Sequence, residues 1–151
     1  MTKVVWKSWF PLTPETLYEF HTDPANLAAI SPPWPPFTMI SDSQPSEVGG
    51  IQVFRLGSGP LATVWEARIR RLEPGRLVED TLESGPFRAW RHQHQFLPEG
   101  DGAILKDVVA FRFFPTPLGG FLDYLFVRPF LLGMFAWRHR RTRQLLVGDQ
   151  N

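Results

Sequence analysis

The chain has 151 residues, 43% hydrophobic and 21% charged, with a formal net charge of +1. That length suits one domain with a real core, the composition excludes a disordered chain, and the charge balance excludes a general polyanion-binding role. Cysteine is absent, which excludes disulfides, zinc–thiolate sites and a thiol nucleophile.

The opening Met1-Thr2-Lys3-Val4-Val5-Trp6 has no apolar signal core, so the expected location is cytoplasmic. Val4 to Phe10 alternates bulky and polar residues and predicts a first strand. Thr13 can cap a helix with Pro14 at its first position, running to His21; Asp23-Pro24 repeats the signal for a second helix to Ile30. Four prolines in Ser31-Pro32-Pro33-Trp34-Pro35-Pro36 allow neither helix nor central strand, and predict a rigid loop in which Trp34 is an anchor or a lid.

The period then becomes two. Strands are predicted at Phe37 to Asp42, Ile51 to Leu56, Ala62 to Leu72, Arg76 to Glu83, Phe87 to Leu97 and Ala103 to Phe113, with short turns such as Glu73-Pro74-Gly75 between them. Connections this short favour an antiparallel meander. Pro115 and Pro117 stop the sheet, and a helical period runs from Leu118 to Val147, with a kink or break at Pro129. Pro117 to Trp137 is apolar enough to raise a membrane span, but Asp123, Arg128, Pro129 and Gly119-Gly120 are each unfavourable in one.

The predicted fold class is α+β. The order of strand, two short helices, six-strand meander and long helix resembles the START-like, or SRPBCC helix-grip, superfamily. Trp9-Phe10, Asp23-Pro24 with Asn26-Leu27, Trp65-Glu66-Ala67-Arg68-Ile69, Gly85-Pro86-Phe87 and Asp107-Val108-Val109 are similar to bacterial polyketide cyclase/dehydrase-related members. The resemblance implies a sheet of about seven strands curved around the C-terminal helix, with an internal cavity. Carriers, sensors and cyclases share that fold, so it does not choose a chemistry.

Strand periodicity does select residues. Trp90, His92, His94 and Phe96 fall on one face of their strand, and Arg91, Gln93 and Gln95 on the other, wet one. The next strand puts Asp107 in an apolar row with Val109 and Phe111, and the preceding one puts Asp80 between Val78 and Leu82, with Glu79 and Glu83 toward solvent. Buried ionisable groups must find partners, so these are expected to meet. A polar network that shapes the cavity is one reading; acid/base catalysis by His92 or His94 with Asp107 is the other. A metal on His92, His94 and an aspartate is geometrically conceivable, but no other ligand-type spacing supports it, and no metal or cofactor is expected. His21 reads as a helix C-terminal cap.

The long helix is apolar nearly all round from Phe121 to Trp137, more than one sheet can cover. Phe121, Leu122, Leu125 and Phe135 are therefore candidates for cavity wall, with Trp65, Asp80, Trp90, Phe96, Val109 and Phe111 from the strands. A ligand, a second copy of the chain or a membrane surface would each cover the surplus. The run Arg138-His139-Arg140-Arg141-Thr142-Arg143 reads as a solvated helix end, or as a lipid-headgroup contact. No basic face continues onto the sheet, so nucleic acid is not an expected partner. The expected partner is a small hydrophobic molecule.

Overall fold

Local capping chemistry sets the first helical elements in the computed structural model, which describes residues 1–41 and 45–148. After strand β1 (Thr2–Phe10), Thr13 Oγ1 accepts the Thr16 N–H at 3.1 Å and opens α1 (Pro14–His21). Asp23 Oδ1 accepts the Ala25 N–H at 3.0 Å and opens α2 (Pro24–Ile30). Each helix places a proline where no intrahelical N–H is needed.

The sheet continues with β2 (Phe37–Met39), β3 (Ile51–Leu56), β4 (Thr63–Glu73), β5 (Leu77–Ser84), β6 (Ala89–Glu99) and β7 (Gly102–Arg112). The predicted strand after the proline loop is shorter than expected, and its last residue, Asp42, lies outside the described residues. All pairings are antiparallel, in the order β1-β7-β6-β5-β4-β3-β2. Register shifts at Glu66/Ala67 and Ile69/Arg71 bend β4 and help the sheet curve. Trp34 anchors no part of this sheet, because it is 77% exposed.

The C-terminal helix is continuous but not uniform. A turn of α-helix, α3 (Gly119–Leu122), passes into a π-helical turn at Asp123–Val127 and then α4 (Arg128–Leu146). Pro129 lies in the first turn of α4, so the π turn directly precedes the missing N–H. Asp123, fully buried, accepts the Phe113 and Phe114 N–H groups at 3.1 Å each and ties this turn to the exit of β7. The acid that looked unfavourable in an apolar helix is what docks it.

Along α4 the buried residues are Leu131, Phe135, His139 and Thr142, an i, i+4, i+8, i+11 stripe. The sheet folds over this stripe, giving the helix-grip arrangement. Two apolar clusters form. One joins Phe10, Leu17, Val78, Phe96, Ala103 and Leu105; the other joins Val4, Val109, Phe111, Leu131 and Phe135. Asp107, between Leu105 and Val109 on β7, sits where the two clusters meet.

On the outer face, Glu79 differs from expectation. It is only 5% exposed, because Arg91 covers it with bonds of 3.0 and 2.8 Å and Gln93 Nε2 donates to it at 2.5 Å. Those bonds hold its carboxyl below the ordinary range against the opposing effect of burial.

Candidate functional site

A cavity enclosing about 130 Å³ lies between the curved sheet, α1–α2 and α4. That is close to the size of an engineered apolar cavity that takes up one benzene, about 150 Å³. One side is aromatic. The Phe54 ring stacks on Trp65 at 5.6 Å, Trp65 meets Trp90 edge-on at 5.5 Å, and Phe87 closes on Trp90 at 4.9 Å. Leu27 and Ile30 of α2, and Leu131 and Met134 of α4, close the other sides.

The polar end is built by alternation on adjacent strands. Asp80 faces His92 across β5 and β6, and His94 faces Asp107 across β6 and β7. Asp80, His92 and His94 line the cavity; Asp107 lies behind them, 2% exposed. Asp107 Oδ1 accepts from His92 Nε2 at 2.7 Å, and Oδ2 accepts from His139 Nε2 at 2.5 Å. An ionised carboxylate only accepts, so both imidazoles carry a proton on Nε2. His139 Nδ1 reaches Ser8 Oγ at 2.8 Å. His94 Nδ1 approaches Asp107 Oδ1 at 2.6 Å but off the direction a hydrogen bond requires, so that contact is electrostatic.

With Nε2 committed, His92 turns Nδ1 toward the cavity, 3.8 Å from Asp80 Oδ2. Burial pushes the Asp80 carboxyl up to about 6, although His94 and Arg138 pull it down. Burial also works to raise Asp107, but the charge of His94 and the bonds from His139 and His92 hold it well below the carboxylate range. Two buried acids therefore have opposite electrostatic character. Burial, reinforced by His92, lowers His94; burial, reinforced by His94, takes His21 down to about 3.

Three residues of the polar end were not anticipated, and two of them, His21 and Arg138, line the cavity. His21 bonds the Leu17 carbonyl at 2.7 Å, as a helix-end histidine should, but its ring also lies 5.1 Å from His94 and lines the cavity. Arg138 and His139 leave the basic run and turn inward, Arg138 to the cavity and His139 to Asp107. Arg140, Arg141 and Arg143 stay outside, over Trp137, on Gln144 and on the Trp9 carbonyl.

Of the expected wall residues, Trp65, Asp80 and Trp90 line the cavity, with His92 and His94. Phe96, Val109, Phe111 and Phe135 do not: they are 0–1% exposed and consumed by the two packed clusters. Phe121, Leu122 and Leu125 are also outside it. With Asp123 held inward, the π turn rotates its neighbours outward, leaving Phe121 64% and Leu125 48% exposed and Leu122 half-buried.

Asp80, His92 and His94 offer ligand atoms within 4.8 Å of one another, enough for three donors to a metal ion. The Arg138 guanidinium on the same cavity wall opposes additional positive charge there.

The fold is shared with proteins from several bacteria. A structure from Chromobacterium violaceum is 18% identical, with a TM-score of 0.72 over 99% of this chain and 100% of that one. One from Rhodobacter sphaeroides is 17% identical, with a TM-score of 0.74 over 99% and 95%. One from Thermus thermophilus is 15% identical, with a TM-score of 0.71 over 98% and 100%. At such identities the likeness concerns the fold alone. No curated protein matches the chain. The family described as polyketide cyclase/dehydrase and lipid transport matches residues 10–135, from the end of β1 into α4. The chain belongs to that family.

Proposed function

We propose that this protein binds one small, ring-sized apolar or amphipathic molecule in the cavity between sheet and helix. The observation that carries this reading is the cavity itself: about 130 Å³, walled by Phe54, Trp65, Phe87 and Trp90, with ionisable groups gathered at one end. Pockets with mostly apolar walls and a few convergent polar groups are the usual form of a small-molecule site. Family membership supports binding of a hydrophobic molecule as the common activity. Calorimetric titration with 2-phenylethanol tests it. Saturable 1:1 binding is expected in the wild type and is lost in Ala67→Phe, which fills the cavity from β4; no binding by the wild type counts against the reading.

A second reading rests on the His92–Asp80 pair. His92, oriented by Asp107, presents Nδ1 beside a carboxyl that holds its proton near pH 6. Such a pair can withdraw and return a proton on a bound carbonyl compound, the chemistry of a cyclase or dehydratase. His92→Gln separates the readings: it weakens or redirects binding in both, because His92 lines the cavity, and turnover of a bound carbonyl substrate is lost only in the second.

The exposed face at the start of the helix also needs a cover. Leu118, Phe121, Tyr124, Phe126 and Phe130 are each at least 54% exposed. Gly119–Leu146 is long and apolar enough to cross a membrane, yet only 22% of its most apolar window is buried. We favour an anionic bilayer surface as that cover, since Arg128 and Arg140 flank the apolar groups and Phe130 joins them to the cavity wall.

A further inference from the structure

Arg138 is a cation in the wrong place for a solvated helix end. It follows Leu131 and Met134 along the face of α4 that lines the cavity, and its Nε is fully buried without a hydrogen-bond partner. Among the described residues, no carboxylate lies within ion-pairing distance of it. Asp107, the nearest candidate by charge, already serves three imidazoles. An unpaired guanidinium in an apolar cavity is costly, and guanidinium does not surrender its proton near neutrality. Its fork geometry matches a carboxylate.

We propose that the cavity is a site for small aromatic carboxylates, with the ring between Trp65 and Trp90 and the carboxylate on Arg138. This rests on the cavity-binding reading and deepens it. The enclosed volume admits one ring, the aromatic walls match its faces, and the cation supplies the charge that a neutral ligand would leave unanswered. Asp80 is the one cavity-lining acid close to this end, and its electrostatic coupling to Arg138 is relieved when it carries a proton.

Calorimetric titrations at pH 5.5, where Asp80 holds its proton and the ligand acids stay largely ionised, with benzoate, phenylacetate and 3-phenylpropanoate, each beside its matching neutral alcohol, test the assignment. At least one acid is expected to bind the wild type tenfold or more tightly than its alcohol. Arg138→Met is expected to abolish that preference and retain the alcohols, and Arg138→Gln serves if the first variant fails to fold by circular dichroism. Alcohols binding as tightly as their acids would overturn the carboxylate assignment and leave cavity binding intact. An acid preference that survives both substitutions would overturn Arg138 as the anion partner. Binding of neither class would overturn cavity binding and this proposal together.

Discussion

Replacing Asp107 with asparagine tests whether the buried carboxylate organises the interior. Asparagine keeps the size and one carbonyl acceptor, but presents N–H where the second imidazole expects an oxygen. One of the bonds from His92 (2.7 Å) and His139 (2.5 Å) survives in neutral form; the other meets a donor. Hydrogen bonds to a charged group contribute about 1.5–3 kcal/mol and neutral ones about 1 kcal/mol. Weakening one bond and losing the other therefore costs about 3 kcal/mol. At about 2–4 °C per kcal/mol for a chain of this size, Tm should fall by about 6–12 °C in circular dichroism melts at pH 7.5. His139 has one escape, moving its proton to Nδ1 to donate to Ser8, so adding Ser8→Ala should deepen the loss. A Tm within about 2 °C of wild type for Asp107→Asn would refute the claim that this network holds the two clusters together.

Other consequences follow from single side chains. The Asp80 carboxyl is raised from 3.8 to about 6 in the native state. Below about pH 3 it is neutral folded or unfolded and changes nothing; above about pH 6 the folded state alone carries the cost of its buried charge, about 3 kcal/mol for a two-unit shift. Asp80→Asn should thus be more stable than wild type by up to about 3 kcal/mol in urea at pH 8 and no more stable at about pH 3, and an equal advantage at both pH values would contradict the assignment. Gly102→Ala would put a Cβ 2.1 Å from the Phe10 carbonyl oxygen and 2.8 Å from the Trp9 ring; a loss of about 4 kcal/mol or more is expected in urea titrations, and a loss below about 1 kcal/mol would show that the β1–β7 contact yields. Co-sedimentation with mixed anionic vesicles should capture the wild type and fail for Phe121→Ser/Phe126→Ser; equal capture of both would reject the bilayer as cover for that face.

Much of the sheet was legible because alternation is local. The strand 89–99 needed only its own period to place His92 and His94 together, and the strand 102–112 to place Asp107 inward. His139 and Arg138 were hidden by composition: the three arginines that follow them, Arg140, Arg141 and Arg143, made the segment read as solvated. The signal was there in the spacing, since Leu131, Phe135, His139 and Thr142 continue one stripe. Phe121 and Leu125 failed for a different reason. The π turn shifts the helical period, and it is set by Asp123 meeting the β7 exit, a tertiary contact that no window of sequence contains. The apolar count was sound; the direction was not.

Heteronuclear NMR during titration with 2-phenylethanol tests the central claim most directly. Occupancy of the cavity predicts chemical-shift changes concentrated at Trp65, Ala67, Trp90, His92 and Met134, which line it from β4, β6 and α4. Changes confined to Phe121, Tyr124 and Phe126, or none at saturating ligand, would contradict an internal binding site.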